Sequence, residues 1–483
     1  MSERPDETPA GAPKTPPEPS PEGSGGDAVA KEEGAERDVV DAAVVQALDS
    51  GDKESLTELV SGLHHADVAD VVERLDPERR DQLLHAMGDD LPPEVLAELD
   101  YAVLEDVLEE MDFKRIAAAV RELDTDDAVL IVDELEEPDQ KKVLQAIPAP
   151  DRRLIEQSLA YPEDSAGRLM QRHVVTVPTH WTVGETIDFL RAEADRDAES
   201  LPEAFYDIFV VDPSHHPVGA IHLSHLLRSN RRIMVADIMQ TEMKLIPVTM
   251  DQEEVAFLFR QRDLVSAPVV DEAQRLVGAI TIDDVVDVIH EEHEEDLLAL
   301  AGVGEDDLYA AAIDTTKARF SWLLVNLLTA VLASLVIGLF EATLQQVVAL
   351  AILMPIVASM GGNAGTQTLT VAVRALATRE LTATNAYRVI GKEVLVGAIN
   401  GALFAVITGV VAWLWFQDQT IGLIIAMAMI VNLIVAGLAG ASIPLLLDRA
   451  GVDPAIASSV FLTTVTDVVG FFAFLGLAAL ILL

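Results

Sequence analysis

One carboxylate inside an apolar segment has the clearest chemical meaning in this sequence. Asp467 lies in LTTVTDVVGFFAFLGLAALILL, which is long enough to cross a bilayer. An ionised carboxylate at membrane depth costs about 2.5–3.5 kcal/mol, so it should face water, a partner or a bundle interior rather than lipid. Thr463 and two further threonines add hydroxyl oxygens nearby. We interpret Asp467 as a cation ligand; the alternative is a structural aspartate paired with Asn432 or Asn363.

A second apolar segment, PIVASMGGNAGTQTLTVAVRALA, is interrupted by small and polar residues. Small residues let two backbones approach closely, and amides inside a membrane need partners. One interpretation is a tight helix crossing with satisfied amides. The other is a locally unwound backbone that lines a water-filled path. In the second case the candidate lining residues are Gly361, Gly362, Asn363, Gly365, Thr366 and, from the last segment, Thr463.

The charge is distributed very unevenly along the chain. Its 483 residues include no cysteine and 80 acidic against 33 basic side chains, yet residues 316–483 hold only seven acids and seven bases. This pattern indicates an acidic soluble part joined to an apolar membrane part. Nucleic acid is excluded as a partner because a polyanion would be repelled, whereas small cations would be attracted. A salt-adapted proteome is an alternative source of the acidity.

Five apolar stretches of the last third predict five transmembrane helices within a domain over 318–483. Basic residues precede the first stretch and lie in the second and fourth connections, whereas the other two connections have none. By the positive-inside rule the amino terminus is cytoplasmic and the carboxyl terminus is outside, in a cytoplasmic membrane protein surrounded by lipid. The stretches are 320–340, 345–373, 387–415, 420–446 and 455–483.

The soluble part begins with a proline-rich acidic tail, residues 1–37, which we expect to be disordered. It has no signal-peptide pattern, which agrees with a cytoplasmic amino terminus. In residues 38–160 apolar residues recur at helical spacing, and VADVVERLDPERRDQLLHAM resembles IAAAVRELDTDDAVLIVDEL. In both, one helix should end at Leu-Asp and the next should begin after an Asp N-cap. We predict an all-α superhelix of helical hairpins.

The next two segments, 161–230 and 231–292, repeat each other. FYDIFVVDPSHHPVGAIHLSHLL resembles LVSAPVVDEAQRLVGAITIDDVV, and each predicts two short strands around a turn followed by a helix. The pair resembles tandem α/β CBS domains. That resemblance implies a cleft between the copies in which such pairs often bind ATP, and the sequence leaves open whether this pair does.

A connecting helix is expected over residues 293–317. At its start, HEEHEED superficially resembles a metalloprotease motif, but His290 and His293 are three residues apart rather than four, so we interpret the stretch as a solvated acidic helix start. The chain also has no phosphate-binding loop or nucleophile elbow. We therefore expect no enzyme activity.

The combined motifs identify a family. The acidic helical-hairpin domain, the CBS pair, a connecting helix, five spans, GGNAGTQ ahead of VRALATREL, GVDPA and TDVVGF together resemble the MgtE family of magnesium channels. The resemblance implies a homodimer whose pore lies on the twofold axis between the second and fifth spans. It makes Asp467 the pore carboxylate, present twice, and makes the connecting segment a plug helix at the cytoplasmic mouth. Mg²⁺ suits this pattern because it takes oxygen ligands and sheds water reluctantly.

The resemblance also implies regulatory Mg²⁺ ligands in the cytosolic part. High Mg²⁺ would hold the acidic domains in a closed form, and low Mg²⁺ would let them repel. In the hairpin domain the family presents two acids one turn apart, where this chain has Asp126 and Leu130, so either Asp126 or Asp127 is the expected bridge to the CBS pair. The ligands implied in the CBS pair and connector are Asp251, Glu253, Asp263, Asp284, Asp287, Glu292, Glu295 and Asp296.

Two other functions fit the same residues. One is a proton-coupled transporter of another divalent cation, with Asp467 carrying the proton. The other is a membrane sensor that uses its CBS pair without transport. The sequence leaves open the selectivity among Mg²⁺, Mn²⁺, Co²⁺ and Ca²⁺.

Overall fold

The computed structural model describes residues 26–196, 201–202, 204–303 and 312–482. These residues form two compact units. The first comprises residues up to Leu99 together with Asp106–Ala119, and the second comprises Asp100–Glu105 and Val120–Leu483. The helical amino-terminal part, the CBS pair and the apolar carboxyl-terminal helices confirm the predicted multidomain membrane fold.

The amino-terminal part is built from short helices, as the apolar spacing predicts. The first helix begins at Gly26, within the segment 1–37 that we expect to be a disordered tail; residues 1–25 lie outside the described part. A 3₁₀ turn, Gly88–Asp90, follows α4. The helices are α1 Gly26–Ser50, α2 Lys53–Ser61, α3 His65–Arg74, α4 Pro77–Met87, α5 Glu94–Ala97, α6 Tyr101–Glu110, α7 Phe113–Glu122, α8 Thr125–Asp133, α9 Glu137–Ala146 and α10 Ala149–Ser158.

The breaks between repeated helices fall where the sequence predicts. α3 ends before Leu75, and Asp76 caps α4 because its side chain accepts a hydrogen bond from the Arg79 N–H. At the matching position Asp124 has an extended backbone but makes no side-chain cap bond to α8. The second predicted cap is therefore present in backbone conformation only.

The CBS pair consists of two similar three-stranded sheets flanked by helices. In each sheet the first strand pairs in parallel with the second, which pairs antiparallel with the third. The turn aspartates Asp212 and Asp271 accept hydrogen bonds from the backbone N–H groups of His216 and Arg275. The strands are β1 Thr176–Pro178, β2 Asp207–Val211, β3 Pro217–His222, β4 Ile246–Pro247, β5 Ser266–Val270 and β6 Leu276–Thr281; the helices are α11 Ala166–Leu169, α12 Val183–Arg196, α13 Leu223–Arg228, α14 Val235–Ile238 and α15 Gln252–Arg262.

The last CBS helix and the expected connecting helix are one element. Helix α16, Ile282–Ala301, begins at a capping box between Thr281 and Asp284 and ends at Gly302, whose left-handed backbone satisfies the last carbonyl groups. The connecting helix expected over 293–317 is therefore not separate. Its residues 304–311 lie outside the described part, and residue 312 already belongs to the next helix.

Five helices in the described part are long and apolar enough to span a membrane, as predicted. They surround a core to which α19, α20, α21 and α22 contribute buried side chains. The expected unwinding around Gly361 is wrong, because α19 is helical throughout. The elements are α17 Ala312–Gly338, the short α18 Glu341–Gln346, α19 Val348–Ala377, α20 Ala386–Phe416, α21 Gln419–Ala450 and α22 Pro454–Leu482.

Candidate metal-binding surfaces and ion path

A cavity lined by acidic side chains lies where the second CBS domain meets the membrane helices. Its volume is about 240 Å³. Helices α15 and α16 form one side, and the end of α19 with the α21–α22 connection forms the other. We call it the acidic cavity. Its charged lining residues are Glu253, Arg260, Glu292, His293, Glu295, Asp296, Asp448 and Asp453.

Helix geometry explains why these carboxylates converge. Glu292, Glu295 and Asp296 are three and four residues apart on α16, so they lie on one face of that helix. Glu253 is in the first turn of α15, whose N-cap Asp251 accepts a hydrogen bond from the Glu253 N–H at 3.0 Å. Asp453 caps α22 by accepting a bond from the Ala455 N–H at 2.7 Å.

The electrostatics of the acidic cavity disfavour the ionised state. Burial raises the pKa of Glu292 to about 7, helped by the charges of Glu253, Glu295 and Asp251 and opposed by a hydrogen bond from Gln252. Burial also raises the pKa of Glu253, with Asp251 as the next cause. Groups in this condition are stabilised by gaining a proton or a cation.

Two carboxylates from the membrane domain join the cavity although sequence reasoning missed them. Burial raises the pKa of both Glu295 and Asp296, and in each case the charge of Asp453 is the next cause. Asp448, in the last turn of α21, also lines the cavity. A signal was available in GVDPA, where an acid precedes proline at a helix start. Because Asp453 is far from α16 in the sequence, the motif alone does not indicate that this carboxylate joins the cavity.

The donor chemistry of the cavity fits a hydrated divalent ion. In the described ranges, no group of three or more Asp, Glu or His side chains is close enough to hold a metal ion. A site here would therefore use one or two carboxylates and keep most of the ion's water shell. Mg²⁺ binds in this way, because it dehydrates reluctantly.

A second pair of acids meets away from the membrane. Asp126 on α8 and Asp284 on α16 are both half-buried and lie close enough for their charges to interact. The Oδ1 atom of Asp126 is enclosed and has no hydrogen-bond partner. Burial raises the pKa of Asp126 strongly and that of Asp284 to about 6. The unpaired Asp126 oxygen beside Asp284 has the chemistry of a cation ligand.

Two of the implied ligands lie elsewhere. Asp263 is exposed at the left-handed carboxyl end of α15, and Asp287 is exposed on α16, where its charge helps to raise the pKa of Glu291. The acidic cavity lining includes neither. The structure therefore brings together four of the eight implied acids in the cavity, with Asp251 at its edge and Asp284 beside Asp126.

The positively charged side chain of Arg379 links the CBS domain to the end of α19. The Arg379 guanidinium lies 4.5 Å from the centre of the Phe257 ring and 3.6 Å from Glu254 Oε1. Arg379 has a left-handed backbone with φ of 56° directly after α19. This contact joins the helix that carries Glu253 to the end of the predicted second span.

Within the membrane domain Asp467 is half-buried, and none of the described residues donates a hydrogen bond to its carboxylate. The alternative pairing with Asn432 or Asn363 is absent in this structure: Asn432 Nδ2 donates to the Val357 carbonyl, and Asn363 Nδ2 donates to Ser359. The Thr463 hydroxyl donates to the backbone at Ser459 and Val460, so its oxygen keeps accepting capacity.

Helix α19 exposes a polar face. Ser359, Asn363, Thr366 and Thr370 are exposed and spaced three or four residues apart, so they lie along one side of the helix. Polar side chains within a span avoid lipid and face protein or water. Within the part of the chain that the structure describes, these four side chains are exposed.

The glycines of α19 have different environments. A side chain at Gly361 would overlap the Asn432 amide, and one at Gly365 would overlap Leu462, so both glycines serve helix packing. Gly362 has open space around its Cβ position. Asn432 itself is fully buried, and its Oδ1 lacks a donor, which costs about 1–3 kcal/mol.

A small cavity lies between the two CBS copies. Its volume is about 20 Å³. Ser266 Oγ donates to Asp207 Oδ2 across the cleft at 2.5 Å. The lining residues are Gln171, His173, Val174, Val175, Pro202, Ala204, Phe205, Tyr206, Asp207, Phe209, Ser266, Ala279 and Thr281.

Family models match segments of the helical domain, the CBS pair and the membrane domain. A model described as a divalent cation transporter matches residues 354–477, and one described as the MgtE intracellular N domain matches residues 63–164. The CBS domain model matches residues 166–231 and 235–291. Of the charged residues that line the acidic cavity, Glu253, Arg260, Asp448 and Asp453 lie in matched segments, and the four on α16 lie between the CBS match and the transporter match.

Curated relatives extend the match. A magnesium transporter MgtE from Thermus thermophilus is 38% identical over 327 residues, which is 67% of this chain and 71% of that protein. The protein of the same name from Enterococcus faecalis is 33% identical over 320 residues, 66% of this chain and 70% of the relative.

Among solved structures, the cytosolic domain of the Mg²⁺ channel MgtE in complex with ATP is similar at 32% identity, covers 51% of this chain and 99% of that one, and has a TM-score of 0.47. The family models and the curated relatives together carry the assignment. The chain belongs to the MgtE family of magnesium transporters.

Proposed function

We propose that this chain forms a homodimeric Mg²⁺-selective channel that imports Mg²⁺ across the cytoplasmic membrane. The observation that carries the proposal is the polar face of α19 together with the unpaired, half-buried carboxylate of Asp467 on α22. A second copy would cover these groups and enclose a water-filled path. Two copies of Asp467 would then accept hydrogen bonds from a hydrated ion.

The acidic cavity supports a cytosolic gate. Glu253 on α15 and Glu292 and Asp296 on α16 lie close together beside Asp453, which precedes α22. The burial of the first three side chains and the repulsion among the charges oppose this conformation. Neutralisation by cytosolic Mg²⁺ would favour this compact, closed form. The gate requires that Mg²⁺ bind the closed form more tightly than the open one, since equal affinity would shift nothing.

The proposed orientation places the acidic cavity in the cytoplasm. The cavity lies at the end of α19 and at the α21–α22 connection, which are the membrane ends that carry Arg374, Arg379 and Arg449. The positive-inside rule assigns these ends to the cytoplasm and the carboxyl terminus to the outside. ATP would bind in the cleft between the two CBS copies.

The test is Mg²⁺ flux into liposomes by the wild type, Asp467→Asn and Asp418→Asn. We expect Asp467→Asn to lose at least about tenfold in flux, since losing a ligand charge costs more than ~1.4 kcal/mol. Asp418 caps α21 through the Thr420 N–H, and asparagine preserves such a cap, so this variant is the control.

The same assay separates the alternatives. Equal flux in the wild type and Asp467→Asn would refute the proposed pathway. Flux that follows a pH gradient rather than the membrane potential and the Mg²⁺ gradient would identify a proton-coupled transporter. Absence of flux in the wild type and in both variants would favour the membrane sensor without transport.

A further inference from the structure

Asn432 connects the two helices that we propose to line the ion path. It lies on α21, is fully buried, and its Nδ2 donates a hydrogen bond of 2.7 Å to the Val357 carbonyl on α19. A side chain at Gly361 on α19 or at Gly470 on α22 would overlap its amide. The two glycines thus form the space that the Asn432 amide fills at the crossing of α19 and α22.

The position of this amide is next to the proposed ion ligand. Gly470 follows Asp467 by three residues, so the two lie on adjacent turns of α22. The distance between the α19 and α22 backbones at this level depends on the group between the glycines. That distance in turn sets where the Asp467 carboxylate stands relative to α19.

The chemistry of Asn432 is poorly explained by stability alone. Its Oδ1 is buried without a hydrogen-bond donor. Leucine has a similar volume and would leave no polar atom unpaired. A polar side chain retained inside a span under such conditions points to a functional role.

We propose that Asn432 is a positioning residue for ion selectivity, and this inference rests on the proposed function. Through its bond to α19 and its packing against Gly470, it fixes the spacing of the two helices beside Asp467. The carboxylate is thereby held where it accepts hydrogen bonds from hydrated Mg²⁺ rather than from the larger hydrated Ca²⁺ shell. Asn432 acts through Asp467 and does not contact the ion.

The first experiment compares Asn432→Leu with the wild type in liposomes that contain the full chain. We expect thermal stability and assembly to be retained while the ratio of Mg²⁺ to Ca²⁺ flux falls by at least about fivefold, the scale set by losing one buried hydrogen bond. Ser458→Ala removes another buried polar group without a partner, a hydroxyl on α22; it is the control and should keep the wild-type ratio. An unchanged ratio in Asn432→Leu would overturn the proposal.

A second set of variants decides the matter if Asn432→Leu fails to assemble. Gly470→Ala should lower the flux ratio because its methyl group overlaps the amide, and the Gly470→Ala, Asn432→Ala double variant should recover it because the space is restored. Failure of the double variant to recover the ratio would contradict the proposal. Loss of the proposed function itself would appear separately, as wild-type flux that does not depend on Asp467.

Discussion

Asp126 and Asp284 are half-buried carboxylates that lie close together: burial, followed by the charge of Asp284, raises the pKa of Asp126. Asp126 belongs to the first turn of α8, and Asp284 is fixed in the first turn of α16 by bonds from the Thr281 hydroxyl and N–H. Two carboxylates at this distance repel each other unless one of them holds a proton. A cation between them would also remove that repulsion, so the contact is sensitive to ions and to acidity.

Replacing Asp126 with asparagine should make this contact independent of Mg²⁺. The amide would donate to the Asp284 carboxylate, and the repulsion between two charges would disappear. Limited proteolysis of the wild type should be slowed by millimolar Mg²⁺, whereas Asp126→Asn should be protected in chelator and change less than about twofold on Mg²⁺ addition.

Asp127→Asn provides the matched control for that experiment, since it removes a charge from the neighbouring position of α8. It should keep the wild-type response. If Asp127→Asn rather than Asp126→Asn abolished the response, the assignment of the bridge would be reversed. If neither variant, nor a joint change of residues 284, 287, 292 and 296, altered protection, the gate would be wrong.

Acidification should favour the compact form when divalent ions are absent. The pKa of Glu292 is raised from 4.5 to about 7 in the acidic cavity, so the compact form binds more protons than the separated form between these values. This stabilisation is present below pH 4.5 and is lost as pH rises through about 7. Protease protection in chelator should therefore increase as pH falls from about 8 to about 6. Glu292→Gln should flatten this dependence, and an opposite trend would contradict it.

Asp453→Asn should weaken closure by Mg²⁺. Asparagine keeps the cap on α22 but removes a charge from the acidic cavity. We expect the Mg²⁺ concentration for half-maximal flux inhibition to rise about fivefold, equivalent to ~1 kcal/mol. Glu380→Gln, an exposed change in the α19–α20 connection, is the control. A lower inhibitory concentration in Asp453→Asn would show that this carboxylate only repels its neighbours.

Arg379→Ala should loosen the tie between the CBS domain and α19. The lost cation–π contact with Phe257 and the ion pair with Glu254 are each worth about 0.5–1 kcal/mol at half-exposed positions. Flux in high cytosolic Mg²⁺ should rise about fivefold over the wild type. Arg374→Ala, an exposed change one turn earlier, should have no such effect. Unchanged inhibition in Arg379→Ala would show that the contact does not restrain the gate.

The elements could be predicted from the sequence because their signals are local. The length of the apolar stretches predicts the five spans, and the duplicated turns at Asp212 and Asp271 predict the CBS strands. Helix continuity was harder. Charged residues on α16 look the same whether the helix breaks at residue 292 or continues to Ala301, so the sequence did not reveal one element.

Convergence over long sequence separations could not be predicted from local patterns. Asp453 lies far along the chain from Glu295, and only the folded chain shows that their charges interact. Glycines at positions 361 and 365 are expected beside an open path. In the folded chain, however, Asn432 and Leu462 fill the space beside Gly361 and Gly365. A polar residue in a span needs hydrogen-bond partners, and only the packing of the folded chain determines which groups those partners are.

Helix α16 is one continuous helix that connects the Asp126 contact to the acidic cavity. Its 20 residues extend about 30 Å, and the same rod carries Asp284 in its first turn and Asp296 near its other end. A tilt of about 10° at the first turn would displace the far end by roughly 5 Å, about one helical pitch. A change at the Asp126 contact would thus be transmitted to the membrane end by a rigid-body tilt of α16, with no unfolding of the helix.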